Sequence, residues 1–203
     1  MRSGEGQNRE IDSHEREALE RVLRATGDLR SILDVGTGNG RWTPVLTSKK
    51  PRLLATLDLS NDALLAARHA NNGTTERSVA VCGDAGALPF AAQSFDLILC
   101  LGLMPYVRRS GRLRALKEMR RVSSRWVVVQ YAHTQGWAYH WQRVRGLVGL
   151  EVRFPRNHLS DPEIEAELRR AGLGVRGVAR IGGAFSQSCF VLAEAPSSGW
   201  MKE

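Results

Sequence analysis

The sequence predicts an α/β fold, a single doubly wound sheet that is mostly parallel, with helices on both faces and an antiparallel C-terminal strand. Three observations carry this. Between about residue 31 and residue 131, short apolar runs alternate with one-faced helical patterns. The fourth run, 95–101, is apolar almost throughout, as a parallel strand covered on both faces must be. The last two runs, 175–181 and 188–192, are separated only by a short turn region containing Gly182-Gly183, so they pair antiparallel.

The elements follow in order. Residues 12–25 place Ala18, Leu19, Val22 and Leu23 on one helical face, and Asp12 with Glu15 has the spacing of a cap. Residues 31–35 form the first strand, 41–47 open the first crossover helix, and 53–57 form the second strand. Ser60 or Asn61 caps the next helix, which runs through Ala70 with apolar Ala63, Leu64, Ala67 and Ala70 and ends at Asn71-Asn72-Gly73. Residues 79–82 are a short third strand, 113–122 a helix, and 126–131 a fifth strand rich in β-branched side chains. Ser160-Asp161-Pro162-Glu163 starts a helix whose stripe of Ile164, Leu168 and Ala171 ends at Gly172.

Residues 132–158 fit no sheet element. Trp137, Trp141, Val144 and Val148 have the spacing of one helical face. The segment follows strand five, at the carboxyl end of the sheet where open α/β folds bind ligands, and reads as a lid-like insertion. The organisation expected is therefore a disordered lead-in at 1–10, one domain at 11–195 containing the insertion, and a tail at 196–203.

Bulk properties narrow the classes. The 203 residues suit one domain with a substantial core, at 42% hydrophobic and 25% charged content. No apolar run approaches the roughly 18 residues of a membrane span, and the polar N-terminus has no apolar signal region, so a cytoplasmic location is expected. The net charge of +8 and pI of about 10.1 invite an anionic partner such as RNA, phosphate or an acidic metabolite. The basic residues are nevertheless scattered in pairs such as Arg108-Arg109 and Arg120-Arg121, with no long run, which favours a basic composition over a nucleic-acid surface. Cys82, Cys100 and Cys189 all fall in strands without C-x-x-C spacing, and the histidines lack ligand spacing, so buried small hydrophobes are expected and no metal site.

The densest information lies in Ile32-Leu33-Asp34-Val35-Gly36-Thr37-Gly38-Asn39-Gly40. An apolar strand ends in an acid, and three glycines alternate through a tight turn that lets backbone approach a ligand. A dinucleotide turn needs G-x-G-x-x-G so that its third glycine packs the helix beneath a pyrophosphate. Here the spacing is Asp34-x-Gly36-x-Gly38-x-Gly40. Downstream, Leu57-Asp58-Leu59-Ser60 ends strand two, Gly83-Asp84-Ala85 closes strand three ahead of Leu88-Pro89-Phe90, and Ser94-Phe95-Asp96-Leu97-Ile98 leads into strand four. In this order the motifs resemble those of the class I S-adenosylmethionine-dependent methyltransferases, closely over 32–129 and by topology beyond, and most of all the small-molecule branch labelled type 11.

The resemblance implies a Rossmann-like sheet and S-adenosylmethionine as cofactor. Gly36, Thr37, Gly38 and Gly40 would pass close to its methionine portion, with Asp34 favouring the ammonium. Asp58, about 20 residues beyond the glycines, would accept both ribose hydroxyls, next to Leu59. Asp84 would take the adenine amine and Ala85 offer its N–H to the ring, while Cys100 and Leu101 would touch the cofactor by backbone alone. Each acid also has a plainer role open to it: Asp34 can satisfy loop donors, Asp58 can cap a helix, and Asp84 can close a turn.

Methyl transfer asks for alignment and dryness, and for a base only when the acceptor must lose a proton. Many relatives carry a histidine after strand four; this chain reads Leu103-Met104-Pro105-Tyr106 there. Tyr106 and His133 are the candidates for catalysis. In the insertion, Trp137, Tyr139 and Trp141 with Arg143, Arg145 and Arg153 can meet a flat or anionic acceptor or, equally, pack the lid. The expected activity is methylation of O, N or C in a small metabolite. The alternatives are an RNA or protein methyltransferase, against which stands the lack of Asn/Asp-Pro-Pro-Tyr after strand four, and a cofactor-binding domain without turnover.

Overall fold

The computed structural model describes residues 3–71, 77–134, 157–181 and 188–196. Strands β1 (Ser31–Val35), β2 (Leu53–Asp58), β3 (Arg77–Cys82), β4 (Phe95–Cys100) and β5 (Ser123–His133) run parallel. β6 (His158–Leu159) adds a short parallel pairing to the end of β5. β8 (Ser188–Glu194) lies antiparallel between β5 and β7 (Gly174–Arg180). The sheet order is β3-β2-β1-β4-β5-β8-β7, which is the doubly wound sheet with one antiparallel strand expected from the sequence.

The helices are α1 (Ser3–Arg24), α2 (Thr43–Thr47), α3 (Asn61–Asn71), α4 (Arg109–Val122) and α5 (Asp161–Arg170). On one face Leu19 and Leu23 of α1 and Leu46 of α2 pack over Ile32, Leu99 and Val128. On the other, Leu116 and Met119 of α4 and Leu168 of α5 pack over Leu33, Ile98 and Val127. Neighbouring residues such as Ile98 and Leu99 thus enter opposite cores, which is why these strands read as unbroken apolar runs rather than alternating ones.

Four expectations need correction. α1 begins at Ser3, so most of the segment read as a disordered lead-in belongs to a helix. Once Ala18, Leu19, Val22 and Leu23 dock the last turns, extending the helix towards the N-terminus needs no further nucleation and no apolar stripe. β6 was not anticipated: two residues paired to Ala132 and His133 are too short for any periodicity. α4 starts at Arg109 rather than 113, through a polar first turn containing Gly111. Cys82 is exposed, because β3 is the edge strand and its side chains stand largely in solvent; Cys100 and Cys189 are buried as expected. The proposed lid residues Trp137, Tyr139, Trp141, Arg143, Arg145 and Arg153 lie outside the described residues. No helix among the described residues is long and apolar enough to cross a membrane.

Two contacts set the frame for the site. At the amino ends of the strands, the N–H groups of Arg30 and Ser31 donate to Asp96 Oδ2 at 2.7 and 3.0 Å, aligning β1 with β4. Asp96 of the fourth motif therefore works at the end opposite the crevice. On the far side, Arg41 pairs with Glu15 at 2.6 Å, and Gln130 Nε2 donates to Glu15 Oε1 at 3.3 Å, so α1 is tied both to the glycine turn and to β5.

Candidate functional site

The chain order reverses between β1 and β4, and an open α/β sheet has its ligand crevice at the carboxyl ends of such a pair. A cavity of about 160 Å³ opens there. Gly36 from β1, Leu57, Asp58 and Leu59 from β2, and Gly83, Asp84, Ala85 and Gly86 after β3 line one side. Leu103 and Val107 after β4, with Gly111, Arg114 and Ala115 of α4, close the other. The walls are apolar and the carboxylates stand at two separate points, which suits a flat ring carried on a polyol.

The turn explains its glycines. Gly36 sits at φ +73°, a region L side chains avoid, and its N–H donates to the Leu57 carbonyl at 2.7 Å, which folds the chain sharply off β1. An added Cβ there would sit in ordinary contact with Leu103 at 3.4 Å, so the demand for glycine comes from the backbone conformation. At Gly38, φ +54°, an added Cβ would meet nothing within 4 Å, so that position borders open space. The Gly38 N–H donates to Asp58 Oδ2 at 3.0 Å and the Ser60 N–H to Asp58 Oδ1 at 3.0 Å. Asp58 is thereby aimed by the backbone on both sides, and each oxygen keeps a lone pair for a further donor. Asp84 is held similarly: Gly86 N–H donates to Oδ1 at 2.9 Å, and Arg114 Nη2 lies 3.2 Å from Oδ2.

Of the residues named from sequence, Gly36, Asp58, Leu59, Asp84 and Ala85 share this cavity, and Gly38 reaches it through Asp58. Asp34, Thr37, Gly40, Cys100 and Leu101 do not line it. Asp34 is 1% exposed and accepts from Thr37 Oγ1 at 2.8 Å, a closed pair beneath the turn. Burial, with a smaller push from Asp58, raises the Asp34 carboxyl to about 6 despite the Thr37 hydrogen bond. The Cys100 thiol beside it is also pushed far up by burial and by Asp34. Tyr106 is exposed in a single 3-10 turn (Met104–Tyr106), flanked by the lining residues Leu103 and Val107. His133 is buried at the end of β5, its pKa lowered chiefly by burial and then by Arg180, and it does not line the cavity.

Sequence reasoning missed Leu57, Gly83, Gly86, Leu103, Val107, Gly111, Arg114 and Ala115 as lining residues. Leu57, Gly83 and Leu103 fall within the motifs and their flanks, which marks the right neighbourhood; α4 offered no local signal. A second cleft of about 320 Å³, bordered by Arg109, Arg112, Glu163, Glu167 and Arg170, holds none of the residues named in advance.

The buried acid makes a prediction. Because the folded form keeps the Asp34 proton up to about pH 6 while the unfolded chain releases it near 3.8, this group lowers stability as pH rises through that window and leaves it lower above it. The shift corresponds to roughly 3 kcal/mol at neutral pH. Asp34→Asn, which still accepts from Thr37, is expected to unfold at higher urea than wild type at pH 7.5, by about 1–3 kcal/mol, with the gap closing towards pH 4. Equal midpoints at both pH values would count against an ionised, buried Asp34.

The comparisons with known proteins agree with this geometry. The family model described as "Methyltransferase domain" matches residues 32–125. The fold is similar to a SAM-dependent methyltransferase from Methanosarcina mazei at a TM-score of 0.67 and 20% identity, covering 82% of this chain and 92% of that one. It is similar to magnesium protoporphyrin IX methyltransferase from Synechocystis PCC 6803 with bound SAH, at a TM-score of 0.74 and 14% identity, covering 92% and 84%. It also resembles the methyltransferase in complex with the Trm112 methyltransferase activator of Haloferax volcanii, at 0.69 and 18%, covering 96% and 95%. No curated protein matches the chain. The matched segment holds the glycine turn, Asp58 and Asp84, with Gly36 and both acids on one crevice of a doubly wound sheet, and the fold of the chain is the one these methyltransferases share.

Proposed function

We propose that the crevice between β1, β2 and α4 holds S-adenosylmethionine and that the methyl group goes to an O, N or C atom of a small, flat metabolite. The observation that carries the cofactor half is the convergence of Asp58 and Asp84 on one apolar cavity that the glycine turn borders at Gly36. Asp58 accepts the ribose hydroxyls, Asp84 the adenine amine, and the Ala85 N–H meets the ring. The backbone of 36–38 admits the methionine portion, while Leu59, Leu103 and Val107 sandwich the base. The open space at Gly38 and the two carboxylates with lone pairs to spare fit such a ligand. Asp34 and Thr37 support the turn from beneath. Cys100 and Leu101 underlie the crevice, both buried.

Bound S-adenosylmethionine supplies an activated methyl on a sulfonium; the chain's own part is to align the acceptor and keep water out. The rim favours an apolar acceptor: Leu59 at its edge is 72% exposed and Tyr106 is 68% exposed. Tyr106 is the residue proposed to handle the acceptor proton, and its phenol is free to turn inward. His133 is proposed to pin β5 to β6 instead, since its imidazole is buried away from the cavity. Tyr106→Phe is expected to lower kcat about 10- to 100-fold with cofactor affinity unchanged; an unaltered kcat removes Tyr106 from proton handling.

The net charge of +8 keeps one second reading in play, methylation of RNA. Labelled S-adenosylmethionine incubated with the protein and either a small-molecule extract or total RNA separates them. Label in the small-molecule fraction, insensitive to salt, supports the proposal. Label in RNA with steeply salt-dependent binding supports the second reading, and no label in any fraction from a protein that binds S-adenosylhomocysteine means binding without turnover.

A further inference from the structure

Arg114 is not among the residues that the motifs named, yet it lies at the base end of the cavity. Helix α4 holds the 84–90 loop at three points along one stripe. Arg114 Nη2 pairs with Asp84 Oδ2 at 3.2 Å, Glu118 Oε2 accepts the Leu88 N–H at 2.9 Å, and Arg121 donates to the carbonyls of Leu88 and Phe90 at 2.9 and 2.8 Å. Of the three side chains, only Arg114 reaches the cavity. Its guanidinium lies across Gly86 so closely that an added Cβ there would collide with Nε and meet Cζ at 3.0 Å. Gly86 is therefore the opening through which Arg114 comes to Asp84.

The pair is exposed at both ends, 66% for Arg114 and 49% for Asp84. An ion pair of that exposure adds little to folding stability, so its consequence is geometric. With the Gly86 N–H on Oδ1 and Arg114 on Oδ2, both oxygens are pinned, and the lone pairs left over point in fixed directions. A carboxylate offers acceptor oxygens only. A fixed, acceptor-only group welcomes an amino group and rejects a carbonyl oxygen at the same place, because the mismatch leaves two acceptors facing each other.

We propose that Arg114, admitted by Gly86, is a specificity-determining positioning residue that fixes Asp84 to select a 6-amino purine over a 6-oxo purine in the cofactor. The inference rests on the reading of this cavity as the S-adenosylmethionine site. It concerns discrimination at the base end, which that reading leaves open.

Calorimetric titration of the full chain with S-adenosylhomocysteine and with its deaminated analogue, S-inosylhomocysteine, tests it. Wild type prefers the amino compound. Arg114→Ala is expected to narrow that preference about 5- to 10-fold, mainly by weakening the amino compound. Arg114→Lys should retain part of the preference, since it keeps the charge without the planar fork. Gly86→Ala should act like Arg114→Ala, because the displaced group is the far end of a flexible side chain rather than backbone. The double variant should be no worse than either alone. A merely structural contribution would weaken both ligands equally and leave the ratio intact. An unchanged or widened ratio in both Arg114→Ala and Gly86→Ala overturns the assignment of Arg114 while leaving the cofactor site standing. Failure of the wild type to bind either ligand overturns the cofactor site, and the inference with it.

Discussion

Arg112→Met is expected to lower stability by about 3–5 kcal/mol, seen as a fall in Tm of roughly 10 °C or more. Arg112 and Glu167 are 3% and 7% exposed in their side chains and meet through two parallel contacts, Nε to Oε1 at 2.9 Å and Nη2 to Oε2 at 2.7 Å. Tyr131 donates its hydroxyl to the same carboxylate at 3.3 Å, which ties β5 to α5. Removing the guanidinium leaves a carboxylate buried without its countercharge, and that penalty, not the net worth of the pair, sets the size of the effect. Exchanging both partners for apolar residues of similar volume should therefore recover much of the loss. Thermal unfolding of Arg112→Met, Glu167→Met and the pair together measures this. Additive losses would show that the two side chains act independently.

The same variant should also weaken cofactor binding. Arg112 Nη1 donates to the Val107 carbonyl at 3.0 Å, and Asn157 Nδ2 donates to the carbonyls of Pro105 and Val107 at 3.0 Å. These bonds hold the segment carrying Tyr106 and Val107 over the crevice, so the core ion pair and the rim form one mechanical unit.

The second large effect is at Asp58. Asp58→Ala is expected to reduce affinity for S-adenosylhomocysteine about 100-fold or more, since in the proposed site it deletes two charge-assisted hydrogen bonds to ribose hydroxyls. It also frees the Gly38 and Ser60 N–H groups, whose common acceptor it removes. Asp58→Asn keeps the acceptor oxygen for one of them and should lie between the two. Because Asp58 is only partly buried, the accompanying change in unfolding midpoint should be small beside the loss of affinity. A large fall in stability with affinity intact would assign Asp58 to the turn alone.

What was legible in the sequence was what is local. The acid and three glycines around β1, Asp58 at the end of β2 and Asp84 after β3 stand at strand ends, where spacing along the chain translates directly into position in space. Gly36, Asp58, Leu59, Asp84 and Ala85 accordingly came together as expected. Arg114 was invisible because its partner is 30 residues away and the contact depends on how α4 packs. The Arg112–Glu167 pair joins residues 55 apart, and charged side chains on two amphipathic helices carry no mark of which will be buried. Asp34 shows what spacing leaves open: its place in the motif is compatible with favouring the ammonium directly or through water, and the fold buries it beneath the turn on Thr37. Cys82 failed for want of sheet order, since strand composition does not tell an edge from a centre.

Isothermal titration of the full chain with S-adenosylhomocysteine tests the reading of the crevice most directly. One saturating site per chain is predicted, with the isotherm lost or displaced by about two orders of magnitude in Asp58→Ala. No binding to the wild type at millimolar ligand, or equal binding by wild type and Asp58→Ala, would contradict it.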